Sequence, residues 1–208
     1  MKSAINFLFG SNPEGRMEEY PCTEKEKLRC RIIRQEISKH VKRNYKMLEV
    51  AAGNGWASFP LIKKGFDVVV TDKEDFRIKQ LKENSKKIGK KVKIVQCDAE
   101  DLPFPKNSFD LVFCIDSLHH MNPQKVLKEI RRVLKPGGKI IITEKNYLNP
   151  MTWIGDKIFN LFYDIEEKTY TKSQITSYLK EVGFKNIETK HLKTSKFILS
   201  RPILYLAW

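Results

Sequence analysis

The sequence contains no long stretch of apolar residues free of charge. A membrane-spanning helix needs about eighteen or more such residues in a row, and no run of this length occurs among the 208 residues. The apolar patch at residues 4–9 is too short for a secretory signal, and no small-residue cleavage site follows it. We therefore expect a cytoplasmic protein without a transmembrane helix.

Cysteine is also scarce. The four cysteines lie at spacings that match no zinc-binding pattern, and they are Cys22, Cys30, Cys97 and Cys114. A chain of this length can bury a core large enough to fold without disulfides. We expect reduced thiols, with Cys97 and Cys114 buried in apolar strands, and no metal site.

Acidic residues are few relative to basic ones. The chain has 39 Lys and Arg against 25 Asp and Glu, which gives a net charge of +14, and its densest basic cluster lies within Lys86–Lys93. This charge favours contact with phosphate-rich partners but identifies none. A lysine- and glutamate-rich solvated surface, as in many thermophilic proteins, explains the same numbers. A nucleic-acid partner is therefore left open but not favoured.

The apolar residues alternate between strand and helix periods along much of the chain. Parallel strands need long crossovers and are apolar throughout, so this alternation predicts an α/β fold with helices on both faces of a parallel sheet. The predicted strands span 47–52, 67–71, 93–96, 111–115 and 139–143, and the predicted helices span 24–43, 56–64, 74–88 and 123–134.

The pattern loosens after Thr143. Residues 146–172 are rich in aromatic and apolar side chains, and we expect this segment either to close over a ligand as a lid or to pack on the core. A helix over 173–182 ends at Gly183. Two strands near 186–191 and 203–207 follow, and we expect them to form an antiparallel pair at one edge of the sheet.

Length and composition indicate one domain over residues 1–208, with 41% apolar residues to form one core. We divide it into a helical segment at 1–44, a binding core at 45–145, the lid candidate at 146–172 and a C-terminal part at 173–208.

The segment Glu49–Gly55 directly follows the first predicted strand and reads Glu-Val-Ala-Ala-Gly-Asn-Gly. Glycines leave out the side chains that hold a ligand away from the main chain, and the helix they open offers unpaired N–H groups and a positive dipole end. A dinucleotide-binding turn would also need a glycine at position 58, which is Ser58. The turn favours a polar ligand on bare backbone but does not identify that ligand by itself.

Two carboxylates follow the next two predicted strands. Asp72 ends the second strand, and its two oxygens suit either the N-cap of the following helix or a ribose diol, of which the upstream glycine turn favours the diol. Asp98, followed by Ala99, comes after the third strand. Asp98 can accept from an exocyclic adenine amine and Ala99 N–H can donate to a ring nitrogen, although an acidic loop is commonly only solvated surface.

The segment Phe109–Met121 contains the fourth strand and the pair His119 and His120. The strand ends near Ile115, so the residues after it lie where open α/β sheets bind their ligands. A lone histidine is usually structural, and only one of an adjacent pair can point into a given pocket.

With Lys135-Pro136-Gly137-Gly138 completing the order, the chain resembles the class I S-adenosylmethionine-dependent methyltransferases, particularly the small-molecule branch that includes the ubiquinone/menaquinone-biosynthesis type. The resemblance implies a Rossmann-like, seven-stranded, mostly parallel sheet with an antiparallel edge strand. It also implies S-adenosylmethionine as cofactor and S-adenosylhomocysteine as product. Ala51 departs from the pattern, since many relatives carry a glycine there.

The resemblance also assigns parts of the cofactor to residues. The methionine part would lie against Glu49 and the turn that follows, the ribose against Asp72, and the adenine against Asp98 and Ala99. The expected cofactor-binding residues are Glu49, Ala51, Gly53, Asn54, Gly55, Asp72, Asp98, Ala99 and Ile115.

The implied reaction is an in-line displacement in which a nucleophile takes the methyl group from a sulfonium, with no metal required. A base is needed only if the acceptor is protonated, and the candidates are His119, His120 and Tyr163. The aromatic content of residues 146–172 favours a small-molecule or lipid-like acceptor. An RNA (tRNA) methyltransferase and a non-catalytic protein that binds an adenosyl cofactor are the alternatives.

Overall fold

The computed structural model describes residues 24–144, 170–193 and 202–208. The predicted lid lies outside these residues except for positions 170–172, and Tyr163 and Cys22 lie outside them as well. None of the described helices is both long enough and apolar enough to cross a membrane.

Seven strands form one sheet, as expected. They are β1 (Lys46–Val50), β2 (Asp67–Asp72), β3 (Lys93–Gln96), β4 (Phe109–Ile115), β5 (Leu134–Glu144), β6 (Ile187–His191) and β7 (Ile203–Ala207). The order across the sheet is β3-β2-β1-β4-β5-β7-β6. The first five strands are parallel, and β7 is antiparallel to both of its neighbours, β5 and β6. The predicted α/β class and the antiparallel pair at one edge are confirmed.

Five α-helices accompany the strands in the described part of the chain: α1 (Glu24–Lys39), α2 (Ser58–Lys63), α3 (Asp75–Ile88), α4 (Pro123–Val133) and α5 (Lys172–Glu181). Each lies within or close to a predicted helix, although α1 ends four residues before the predicted end at 43. The start of α5 is well specified because Thr171 and Gln174 form a reciprocal capping box.

The helices cover both faces of the sheet. On one face, buried residues of α4 and α5, such as Leu127 and Leu179, pack on Val112 and Ile142. On the other face, residues of α1, α2 and α3 pack against the opposite side of the same strands, and these are Ile33, Ile37, Phe59, Leu61, Ile78 and Leu81. Each fully buried aliphatic side chain contributes roughly 1.5–3 kcal/mol. The sheet is therefore held between two apolar layers, and its strand ends are left to carry polar groups.

The Lys135–Gly138 segment belongs to β5, although the sequence predicted that this strand begins only at residue 139. Pairing with β4 already begins at Leu134, directly after α4, and the register shifts between Phe109 and Leu111. Gly137 has a φ of +73°. A Cβ on Gly138 would lie 2.9 Å from Lys135 O and 3.2 Å from Asp110 O. The two glycines therefore let an irregular strand start pass close to the backbone of β4.

The described cysteines Cys30, Cys97 and Cys114 are free thiols, as predicted. Cys30 and Cys114 are buried, but Cys97 is only half-buried. Burial raises the pKa of the Cys97 thiol to about 11. Both Cys97 and Cys114 therefore stay protonated and unreactive at neutral pH.

Because β1 to β5 are parallel, their C-terminal ends meet along one side of the sheet. We call this side the carboxyl edge; it comprises the residues that end or directly follow these five strands. The opposite side, where the same strands begin, is the amino edge. All of the predicted site residues that the structure describes lie at or next to the carboxyl edge.

Candidate functional site

The turn between β1 and α2 is built from residues with left-handed backbone conformations. Ala51, Gly53 and Gly55 have φ values of +53°, +59° and +81°. A Cβ on Gly55 would lie 2.8 Å from the Phe59 ring and 2.9 Å from a Leu81 methyl group, so packing itself requires a glycine there. A Cβ on Gly53 would meet no atom within 4 Å. Gly53 therefore faces open space, where the structure leaves room for a ligand beside the main chain.

Ala51 adopts a conformation that L-residues disfavour by about 1–2 kcal/mol. This agrees with the expectation that a glycine is the more usual residue at that position. Its carbonyl oxygen lies 3.2 Å from Ser117 Oγ in the loop after β4. The first residue of the turn is therefore tied to the end of the neighbouring strand.

Asp72 connects two loops of the carboxyl edge. Its Oδ2 accepts from Gly53 N–H at 2.8 Å, and its Oδ1 accepts from Glu74 N–H at 3.1 Å. The N-cap of α3 is Glu74, not Asp72. Because each carboxylate oxygen can accept a second hydrogen bond, Asp72 can still bind a diol while it holds the glycine turn in place. Its predicted role in ribose binding remains a prediction.

Glu49 is 2% exposed, and its Oε2 accepts a hydrogen bond from Oγ of Ser58, the first residue of α2. Burial raises the pKa of Glu49 to about 8, with a smaller contribution from Asp72, and the hydrogen bond from Ser58 only partly opposes this rise. Glu49 is therefore mostly protonated at neutral pH. In the structure it supports the turn from below, and its predicted contact with the methionine part of the cofactor is untested.

Asn54 also supports the turn. Its Oδ1 accepts from Trp56 N–H at 3.2 Å, and its carbonyl oxygen accepts from Asn84 Nδ2 of α3 at 3.0 Å. The side chain of Asn54 therefore stabilises the turn itself, and its carbonyl oxygen ties the turn to α3.

Asp98 follows β3 and pairs with Lys73 at 2.7 Å, while its Oδ1 accepts from Glu100 N–H at 2.9 Å. These two contacts hold the pKa of Asp98 below its ordinary value, with Lys73 the larger cause. Ala99 is 7% exposed and belongs to the core cluster on the α4 face. Asp98 and Ala99 are thus placed beside Asp72, in the next loop along the edge.

Glu144, at the end of β5, is a residue that the sequence analysis missed. It is 2% exposed, its Oε1 accepts from Leu118 N–H at 2.7 Å, and its Oε2 lies 2.7 Å from His119 Nδ1. This buried carboxylate fixes the loop after β4 from the neighbouring strand. Its position at the end of a strand, after the apolar run Ile140–Ile142 and Thr143, is the signal that could have identified it.

The two histidines occupy different environments. His119 is 3% exposed and held by Glu144, whereas His120 is exposed at the surface. Their ring centroids are 4.1 Å apart. The general expectation that one of an adjacent pair is structural fits His119.

Asp116 is a second residue that the sequence analysis did not single out. It directly follows Ile115 of β4 and has a φ of +54°, unusual for a residue other than glycine. Its Oδ2 pairs with Arg29 Nη2 of α1 at 2.6 Å, and its Oδ1 accepts from Thr143 Oγ1 at 3.0 Å. Burial is the main cause that raises the pKa of Asp116 and exceeds the opposing effect of Arg29.

Ile115, predicted among the cofactor-binding residues, is 6% exposed and packs in the core on the α1 face. Its carbonyl oxygen lies 2.9 Å from Ser117 Oγ. The structure therefore places Ile115 directly below the loop that carries Asp116, Ser117 and His119.

The carboxyl edge is acidic in a protein that is strongly basic overall. Its carboxyl groups come from all five parallel strands or the loops after them, and they are Glu49, Asp72, Asp98, Asp116 and Glu144. The structure thus brings together the described site residues predicted from the sequence and adds Arg29, Asp116 and Glu144. Such an edge, with bare backbone at Gly53, suits a ligand that carries hydroxyl and amino donors and a positive charge.

Comparisons with known proteins agree with this geometry. Residues 48–142 match the family described as "Methyltransferase domain". The chain is 33% identical over 150 residues to the ubiquinone/menaquinone biosynthesis C-methyltransferase UbiE of Pasteurella multocida, covering 68% of this chain and 56% of that enzyme. It is also 33% identical over 178 residues to an uncharacterised protein of Methanocaldococcus jannaschii, covering 83% of this chain and 72% of that protein.

A crystal structure of a protein from Pyrococcus horikoshii OT3 has the same fold, with a TM-score of 0.75 and 24% identity over 93% of this chain and 95% of that one. The chain spans only about half the length of the Pasteurella enzyme, at 56%.

Proposed function

The chain belongs to the class I S-adenosylmethionine-dependent methyltransferases, and on that premise we propose that it transfers a methyl group from S-adenosylmethionine to a small-molecule or lipid-like acceptor. The observation that carries this proposal is the carboxyl edge itself. It combines an open glycine backbone at Gly53 with a buried carboxylate, Asp72, whose oxygens retain accepting capacity. The strand order reverses between β1 and β4, and open α/β sheets bind their ligands beyond the carboxyl ends of the strands at such a point.

The residues present fit the cofactor. Asp72 would accept from the ribose hydroxyls, Asp98 from the adenine amine, and the backbone at Gly53 would leave space for the methionine part. When bound, S-adenosylmethionine supplies an activated methyl group on a sulfonium, which is a good leaving group. The protein then has to align the acceptor and exclude water.

The acceptor side of the site lies over β4 and β5, where Asp116, His119 and Glu144 meet. An acceptor with an O–H or N–H group must lose a proton during transfer, so a group that can take this proton is needed. His120 is the exposed histidine of the pair and His119 is the buried one. We propose that His120 is the general base that takes this proton. The buried ring of His119 packs against the His120 ring and holds it in place.

The relative from Pasteurella multocida is named for ubiquinone and menaquinone biosynthesis. We therefore propose a reduced quinone, or a molecule of similar aromatic and hydroxylated character, as the first acceptor class to test. Short-chain naphthoquinols and benzoquinols would be incubated with labelled S-adenosylmethionine, and the products would be identified by mass spectrometry.

An RNA acceptor is less well supported. The lysine cluster within Lys86–Lys93 spans the end of α3 and the start of β3, which is at the amino edge, opposite the candidate site. A basic surface there cannot guide a strand of RNA directly to the carboxyl edge. Transfer of label to bulk tRNA that exceeds transfer to every quinol would reverse this preference.

Cofactor binding is tested first, because it does not depend on the acceptor. Asp72→Ala should weaken S-adenosylhomocysteine binding by at least about tenfold in calorimetry. The substitution removes the carboxylate that would accept charge-assisted hydrogen bonds from the ribose hydroxyls. The matched control is Asp67→Ala at the other end of β2, where the carboxylate is exposed. Equal binding by both variants would contradict the proposed site, and binding without turnover on all acceptors would favour the non-catalytic alternative.

A further inference from the structure

The strand order gives the path of the cofactor along the carboxyl edge. With adenine after β3 and ribose after β2, the methionine part lies over the turn after β1, since these strands are successive neighbours. Strands are about 4.8 Å apart, and the next neighbour of β1 is β4. The sulfonium therefore lies at the boundary between β1 and β4.

Asp116 is the first residue beyond β4 at this boundary. The following residue is Ser117, and its Oγ donates to the carbonyl oxygen of Ala51 in the glycine turn at 3.2 Å. The two loops are therefore in direct contact. Thr143 donates to one oxygen of Asp116 and Arg29 pairs with the other. A single carboxylate is thus held in a defined place beside the expected position of a positive charge, with a guanidinium as its counter-ion.

We propose that the Arg29–Asp116 ion pair sets the electrostatic potential at the sulfonium and thereby determines how strongly the site distinguishes the cationic cofactor from its neutral product. This inference rests on the proposed function. S-adenosylmethionine carries a sulfonium charge that S-adenosylhomocysteine lacks, and the two otherwise share their adenosine and amino-acid groups. A charge near the sulfur therefore alters the ratio of the two affinities, whereas a general loss of packing weakens both together.

The two members of the pair have effects of opposite sign. Asp116→Asn removes a negative charge and should lower the affinity for S-adenosylmethionine relative to S-adenosylhomocysteine by about fivefold, the effect of one unit charge at roughly 8 Å in a partly solvated site. Arg29→Met removes the opposing positive charge while keeping an apolar stem, and it should raise the same ratio. Glu144 and His119, the other charged or titratable groups acting on Asp116, are unchanged in both variants.

The ratio is measured by isothermal calorimetry at pH about 8.5, because burial raises the pKa of the Asp116 carboxyl and a higher pH favours its ionised form. The matched control is Asp110→Asn. Asp110 lies at the start of the same strand and is also paired with a cation, Lys135, at 2.8 Å. It is on the amino edge, so this variant should leave the ratio unchanged. Thermal unfolding of each variant confirms that the fold is kept.

A fall of the ratio in Asp116→Asn together with a rise in Arg29→Met supports the inference. An unchanged ratio in either variant, or a shift of both in the same direction, overturns it. If Asp116→Asn does not fold, Arg29→Met decides alone, because only a charge effect predicts a rise. Failure of the proposed function looks different, since the unmodified protein would then bind neither compound.

Discussion

The two ends of strand β4 carry the same residue type in different surroundings. Asp110, at the amino edge, bonds Lys135 and accepts from Lys46 N–H at 2.9 Å. Asp116, at the carboxyl edge, is held by Arg29 and Thr143 in a left-handed backbone conformation. The contacts of Asp110 join the starts of β1, β4 and β5 to one another. The interaction of Asp116 is built with backbone strain, which proteins retain mainly where a site requires it.

The same contrast holds for the two edges as a whole. Lys46 and Lys93, at the amino edge, are exposed to solvent. The carboxyl edge buries Glu49, Asp72 and Glu144, each with named hydrogen-bond partners. Buried polar groups with fixed partners are therefore concentrated at the carboxyl edge, and substitutions there should have larger effects than matched ones at the amino edge.

The largest difference is expected between two glycines. Gly55→Ala should destabilise the protein by about 3 kcal/mol, because a left-handed residue is strained and the new methyl group overpacks the core. That group would lie 2.8 Å from the Phe59 ring and 2.9 Å from Leu81. Gly137→Ala at the amino edge, where φ is +73° and the space is open, should cost only about 1 kcal/mol. Urea unfolding measures both, and equal losses would remove the contrast.

The next largest difference concerns two carboxylates. Glu144→Ala should cost about 3 kcal/mol, since it leaves Leu118 N–H and His119 without a buried acceptor. Asp110→Ala should cost about 1 kcal/mol or less, because its partner Lys135 is 42% exposed and can be solvated by water. A cost for Asp110→Ala that matched the cost for Glu144→Ala would show that the amino edge is as firmly held as the site.

A smaller effect is expected from Glu49, and it depends on pH. The pKa of Glu49 is raised from 4.5 to about 8 in the folded protein, so the native state binds a proton that the unfolded chain releases. Stability is then lost as pH rises from about 4.5 to 8. Glu49→Gln should remove this loss, at about 1.4 kcal/mol for each pH unit, and gain roughly 2 kcal/mol relative to the unmodified protein between pH 5 and about pH 6.5.

The comparison for Glu49 is Glu129, whose pKa is lowered chiefly by its hydrogen bond to Arg132. Glu129 contributes stability above its unfolded pKa and loses it as pH falls through the folded pKa. Glu129→Gln should therefore reduce stability at neutral pH, opposite in sign to Glu49→Gln. Parallel pH profiles of unfolding free energy for the two variants would contradict the assignment of Glu49 as a buried neutral acid.

The smallest effect is expected at Ala51. Ala51→Gly should change stability by at most about 0.5 kcal/mol, because relief of the left-handed strain is offset by greater freedom of glycine in the unfolded chain. The reverse change, Gly89→Ala, applies to an open position with φ of +64° and should destabilise by about 1 kcal/mol. A large gain from Ala51→Gly in thermal unfolding would mean that the turn stores more strain than its φ angle indicates.

Much of the fold was predictable because its signals are local or periodic. The apolar runs predicted the starts of β2 and β3 to the residue and those of β1 and β4 to within two residues. The glycine turn indicated where a ligand can approach, and Asp72 and Asp98 were placed by their positions after strands. The early start of β5 was not predicted, since it depends on two glycines that let the chain pass close to Asp110 O. The burial of His119 could not be predicted either, because it depends on Glu144, which lies beside it only in the folded chain.

The sequence by itself determined the class of sheet, the five parallel strands and the set of polar residues at their ends, because periodicity and strand-end position are properties of neighbours along the chain. Only the tertiary structure decided which of those polar groups touch. Arg29 meets Asp116 across 87 positions of sequence, and Glu144 meets His119 across 25. Such contacts depend on how helices and loops pack over the sheet, and no local pattern in the sequence specifies that packing.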